Sequence, residues 1–139
     1  MSEKQRVLKS IDAMTNQLEK ALSGLSDAEG DKKINDKLMS ASETMAHLAE
    51  CCVAFCTSAN GGSHDWGTYD SGQTTLTGNM AKWKEERANA IAILQGSDKP
   101  EDLDHAMDFM TIHDAYHVGQ ICALRLTLDP KWDAYVIYS

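Results

Sequence analysis

The sequence predicts an all-α protein, a four-helix bundle with a long loop between helices two and three, and three observations carry that expectation. Apolar residues recur at steps of three and four in four separate stretches. Serine caps, glycine stops and Asp-Pro or Lys-Pro pairs fall between those stretches. The alternation of a half-buried strand is missing, apart from a weak trace in Ala134-Tyr-Val-Ile-Tyr138. With 139 residues, 42% of them hydrophobic, the chain is long enough for a single domain over residues 1–139 that needs no disulfide staple.

The first helix is expected from Ser2 to about Leu25, where Val7, Leu8, Ile11, Met14, Leu18, Leu22 and Leu25 form one stripe and Ser2 and Gln5 offer a capping box. Residues 26–37 carry no apolar period and read as a polar connection with room for a short helical turn. Ser40 and Glu43 have the spacing of a second capping box, so helix two runs from there to about Thr57. Its apolar face is Met45, Leu48, Cys52 and Phe55, with His47 on the flank.

Residues 58–78 hold five glycines among Ser, Thr, Asn and Asp, together with His64, Asp65, Trp66 and Tyr69. This is the long loop, and its side chains suit either a surface loop with an aromatic anchor or contact with a small molecule. Asn79 is the expected cap of helix three, which continues to about Gln95 with Met80, Trp83, Ala90, Ile91 and Leu94 inward. The charged run Lys82, Lys84, Glu85, Glu86 and Arg87 reads as its solvated face. Gly96 stops that helix, Ser97 or Asp98 caps the next, and Pro100 lies near its first turn. Helix four then extends to about Thr127, before Asp129-Pro130.

Helix four carries the chemistry. Its stripe runs Leu103, Met107, Met110, His113, His117, Ile121, Leu124 and Leu128, which places two imidazoles four residues apart on the inward face. Burying both without a shared partner leaves ring nitrogens unpaired at about 1–3 kcal/mol each. One cation satisfies both, given a third ligand from elsewhere, and His47 on helix two is the candidate. His105 lies eight residues before His113, about 12 Å along a helix axis, too far for the same ion.

Other neighbours have two readings each. Glu50, one turn beyond His47, is a general base, a fourth ligand or a solvent-facing residue. Asp114 and Gln120 either orient the imidazoles or face water. Gly119 suits a close helix approach, and Tyr116 packs between helices with its hydroxyl at the rim. Cys51 is a ligand, a nucleophile or, the reading favoured here, a buried inert thiol. Cys51, Cys52, Cys56 and Cys122 fall inside helical segments, which favours reduced thiols over bridges.

Charge narrows the partners. Thirteen basic and 21 acidic residues give a net charge of -8 with no Lys/Arg cluster, so phosphate backbones and anionic lipid are repelled. Neither nucleic acid nor membrane is an expected partner. The N-terminus opens into an amphipathic helix without an apolar signal region, and a cytoplasmic location is expected.

The run Ser40-x-x-Glu43-x-x-x-His47-Leu-Ala-Glu, with His113-x-x-Tyr-His117-x-Gly-Gln-Ile-x-x-Leu-Arg125, resembles the DinB/YfiT-like superfamily of metal-binding four-helix bundles. The tail Leu128-Asp-Pro-Lys-Trp132-Asp-Ala-Tyr135-Val-Ile-Tyr138 is similar to that family's C-terminal extension, whereas Met39 stands where the family often has Trp. The resemblance implies that His47, His113 and His117 form a metal triad holding a divalent ion, usually nickel or zinc, with water in the open positions. It also implies a homodimer, and an enzyme that performs transfer involving a low-molecular-weight thiol, or hydrolysis, on a small-molecule substrate. The alternatives are a non-catalytic metal-binding or stress-associated protein, and a helical interaction module with core histidines.

Overall fold

The Ser2 hydroxyl accepts from the backbone N–H of Gln5 at 3.1 Å, and the Gln5 side chain accepts from the Ser2 backbone N–H at 2.7 Å. This reciprocal cap starts helix α1 (Glu3–Leu22) in the computed structural model, which describes residues 1–139 and contains helices, turns and no strand. α1 buries Val7, Ile11, Leu18, Ala21 and Leu22, the inner part of the expected stripe. It stops three residues short of Leu25, because Gly24 adopts φ +80, a left-handed turn that needs no Cβ.

The polar connection contains one short helix, α2 (Asp27–Gly30), with its own capping box between Ser26 and Glu29. Asp27 also reaches across the chain, accepting from the Thr77 backbone N–H at 2.9 Å and the Thr77 hydroxyl at 2.8 Å. The connection is thereby pinned to the start of a later helix.

Helix α3 (Ala41–Ala59) is capped by the Ser40 hydroxyl, which accepts from the Glu43 backbone N–H at 3.1 Å. Only this half of the expected capping box forms, since the Glu43 carboxylate pairs instead with Lys33 at 3.2 Å. Helix α4 (Leu76–Gly96) begins four residues before the expected start, capped by Thr75, whose hydroxyl accepts from the Gly78 N–H at 3.0 Å. Asn79 is inside the helix and buried. Its amide donates to Ser42 at 2.9 Å and its carbonyl accepts from Ser71 at 2.7 Å, so it joins α4 to α3 and to the preceding loop.

α3 and α4 share the most extensive helix–helix contact of the fold, and Phe55 and Trp83 are completely enclosed. Burial of a side chain of this class contributes about 1.5–3 kcal/mol. The same core takes in Ile11, Leu18, Met45, Leu48, Leu94, Met110 and Ile121.

Pro100 opens helix α5 (Pro100–Met107) at its first position, and the preceding Lys99 supplies no side-chain cap. The expected cap Ser97 instead donates to the Asp102 carboxylate inside the first turn. A π-helical turn at Asp108–Ile112 then leads without a break into helix α6 (His113–Leu128). Through α5 and this turn the inward positions are Asp102, Ala106 and Met110. The expected Leu103 and Met107 are only half-buried. The tail that resembled a strand is a 3-10 helix, Ala134–Tyr138, capped by the Asp133 carboxylate and packed against α1 with Ile137 buried. No helix is long and apolar enough to cross a membrane.

Candidate metal centre

His47 lies two turns into α3, at a height set by the Ser40 cap, while His113 and His117 occupy the first turns of α6 directly after the π turn. The three side chains meet. His47 Nε2 is 3.2 Å from His113 Nε2, which is 3.0 Å from His117 Nε2, and all three ligand atoms lie within 4.8 Å of one another. The rings stand nearly perpendicular, with centroids 4.9, 5.3 and 4.5 Å apart, so each presents an edge to the common point.

Hydrogen bonding alone does not satisfy this arrangement. A neutral imidazole nitrogen carries either one proton or one lone pair, and His113 Nε2 faces two other imidazole nitrogens at once. Two nitrogens each bound about 2.0–2.1 Å from one ion are themselves about 2.9–3.4 Å apart in cis positions. The two short separations match that range, and neutral nitrogen donors suit a first-row divalent ion. On this donor set a divalent metal fits.

Burial keeps the cluster unprotonated. Desolvation, reinforced by the charge that His113 would carry, pushes the His47 imidazole below its ordinary value, and desolvation lowers His113. His117, only 2% exposed, is pushed down to about 4 by burial and then by its two histidine neighbours. All three therefore offer lone pairs at neutral pH.

Beside the cluster is a cavity of about 270 Å³ bounded by His47, Cys51, Trp66, Asp108, Phe109 and His113. Trp66 and Phe109 also border a second cavity of about 190 Å³ that contains Ser58, His64 and His105. The loop before α4 thus reaches the site through Trp66, which packs on Phe109 at 5.9 Å and on His64 at 4.7 Å.

Glu50 holds the loop there. It is mostly covered, contrary to the solvent-facing reading, and its carboxylate accepts from His64 at 2.9 Å and from the Gly67 backbone N–H at 3.0 Å. His64, unplaceable from the sequence, is the other half of this clamp. His105 stays outside the cluster, hydrogen-bonded to the Ser58 hydroxyl at 2.9 Å.

Cys51 is buried, with its Sγ 3.4 Å from His113 Nδ1 and 4.0 Å from His47 Nε2, and burial pushes its thiol well above the ordinary range. Gln120 donates to the Tyr116 hydroxyl at 2.8 Å, and its side chain also acts on the His117 imidazole, opposing the effect of burial there. Tyr116 is exposed and lays its ring against His117 at 5.0 Å. Gly119 is on an exposed face where an added Cβ would touch nothing, so it serves no close helix approach.

Asp114 faces inward and pairs with Arg87 at 2.6 Å, which corrects the placement of Arg87 on the solvated face. The Arg87 guanidinium also donates to Thr15 and to the backbone oxygens of Ile11 and Met110, joining α1, α4, the π turn and α6. The spacing held the signal: Arg87 lies four residues after Trp83 and three before Ala90, within the buried stripe of α4.

A search of curated proteins and of solved structures returns no match. The family model of the DinB superfamily matches residues 10–121, a span that contains His47, His113 and His117, all of α3 and the first half of α6. The chain belongs to the DinB superfamily.

Proposed function

We propose that this chain is a metal-dependent enzyme of the DinB type, in which His47, His113 and His117 hold one divalent ion, nickel or zinc, and a small molecule reacts in the adjoining cavity. The convergence of three Nε2 atoms at 3.0–3.2 Å steps is the observation that carries the reading. Three neutral ligands leave coordination positions for water or substrate. When bound, such an ion acidifies coordinated water toward a pKa near 7 or stabilises a substrate thiolate, which supports hydrolysis or thiol-dependent transfer.

The protein's own groups provide the setting. His117 and His113 are held on one rigid helix, and the buried Arg87–Asp114 pair anchors that helix one residue after His113. Trp66 and Phe109 supply an apolar wall at one side of the cavity. The Glu50–His64 clamp keeps Trp66 in place. Architecturally, α1, α3, α4 and the continuous α5–α6 run make the four helices of a single-domain bundle, in a cytoplasmic protein that pairs as a homodimer.

A second reading, a non-catalytic metal-binding protein, draws support from Glu50. This carboxylate one turn from His47 is engaged with His64 and Gly67, and so is not free to serve as a base. Elemental analysis of protein produced without a histidine tag tests the shared premise. About one equivalent of nickel or zinc is expected, falling to background in His47→Ala with an unchanged circular dichroism spectrum. Full occupancy in that variant would remove the triad. Turnover by the metal-loaded protein of thiol and electrophile pairs, lost on metal removal, separates the enzyme from the binding protein.

A further inference from the structure

The outer nitrogens of the three histidines differ in their surroundings. His117 Nδ1 is buried and has no partner, while His113 Nδ1 has one, the sulfur of Cys51 at 3.4 Å. Ligand histidines ordinarily donate their outer N–H to a carboxylate, a backbone carbonyl or water, which fixes the tautomer and the ring orientation. Here a buried thiol occupies that place.

We infer that Cys51 is the positioning residue of the metal centre: its sulfur accepts the His113 Nδ1–H and so holds the tautomer whose Nε2 lone pair faces His47 and His117. The inference rests on the triad reading. Two observations support it. Cys51 follows His47 by one helical turn on α3, so one helix supplies both a ligand and the group that orients a ligand on another helix. Cys51 is only 1% exposed. The contact allows two proton arrangements, and the triad reading selects between them. If the thiol donated to Nδ1, His113 Nε2 would carry a proton pointing into the cluster, and that nitrogen could not bind an ion.

Sulfur is a weak acceptor, so it orients the ring while adding less electron density than a carboxylate partner supplies. Cys51 thus serves the site by orienting His113, without acting as a nucleophile or a ligand.

The test compares the wild type with Cys51→Ser, Cys51→Ala and Cys51→Val. It uses zinc affinity by chelator competition, the His113 tautomer by two-bond nitrogen–proton NMR of the zinc-loaded protein, and cobalt absorption. The Ala and Val variants should bind zinc about 10–100-fold more weakly, with helix content retained. Ser, which keeps an acceptor, should recover most of that loss. In the wild type His113 should carry its proton on Nδ1, and the cobalt spectrum should lack a sulfur-to-metal charge-transfer band. Such a band would make Cys51 a direct ligand and overturn the inference, as would equal zinc affinity in all four proteins. If the wild type itself binds neither zinc nor nickel, the triad reading falls and this inference with it.

Discussion

Arg87 and Asp114 form an ion pair at 2.6 Å with side chains only 3% and 1% exposed, and Asp114 is the residue next to the ligand candidate His113. Removing the arginine leaves a buried carboxylate without its counter-charge, a change that costs about 3–5 kcal/mol in comparable pairs. Arg87→Met should therefore lower the urea midpoint steeply. The double change Arg87→Met with Asp114→Leu should recover much of the loss, because the uncompensated charge is gone. Equal destabilisation by the single and double variants would assign the effect to the arginine's bonds with Thr15, Ile11 and Met110 instead.

The pair also illustrates what the sequence disclosed. Two imidazoles at a four-residue interval stand out because a polar ring on an apolar stripe is unusual, and the Ser40 cap set the phase of α3 well enough to bring His47 into view. Arg87 was hidden by its neighbours: Lys82, Lys84, Glu85 and Glu86 make the whole run resemble a wet face, although the three- and four-residue steps place it among Trp83, Ala90 and Leu94. The true cap at Thr75 was concealed by Asn79, an equally good cap residue that was needed for bonds to Ser42 and Ser71. The π turn leaves no signature in local periodicity. Tertiary contacts around Met110 and the Arg87 guanidinium accompany it, and those partners are distant in sequence.

Acid should destabilise the metal-free protein over a defined window. The folded-state pKa of His117 is about 4, below the ordinary value of 6.5, so between these limits the unfolded chain binds a proton that the folded chain does not. Stability is then intact above about pH 6.5 and declines as pH falls toward 4, by up to about 3 kcal/mol from this residue. His47 and His113 are shifted in the same direction. Urea unfolding across this range should show the decline, and His117→Gln should flatten it. A profile of the same slope in both proteins would contradict the assignment.

Saturating zinc should shift the same curve. An ion bound only by the folded state adds about 2.7 kcal/mol at a hundredfold excess over its dissociation constant. Protons compete for the same lone pairs, so the added stability should shrink on acidification, and thermal unfolding with and without zinc at pH 7.5 and 5.5 measures the difference. A zinc increment that is independent of pH would argue against imidazole ligands.

The loop clamp makes a local prediction. Glu50 holds His64 and the Gly67 amide through one carboxylate oxygen, and each bond is worth about 1 kcal/mol or somewhat more with its charge. Glu50→Ala should raise hydrogen exchange at Gly67 and the adjoining amides by roughly tenfold while leaving α3 protected, because the helix retains its Ser40 cap and its buried face. Zinc affinity should change little. Exchange rates in the loop that match the wild type would show that Trp66 packing alone holds it.

Two glycines should respond in opposite directions to the same methyl group. Gly30 ends α2 against α4, and a Cβ there would come within 2.6 Å of the Leu76 Cβ, a separation that requires a backbone shift. Gly30→Ala should destabilise by about 1–3 kcal/mol, the range for overpacking a closed contact. Gly119 is within α6, where an added Cβ would meet nothing within 4 Å. Gly119→Ala should stabilise by about 1 kcal/mol through the lower backbone entropy of alanine in the unfolded chain, without altering zinc affinity. Thermal unfolding of both variants checks the pair. A destabilised Gly119→Ala would indicate that the exposed face of α6 is covered in solution, which the oligomeric state of that variant, measured by light scattering, would then reveal.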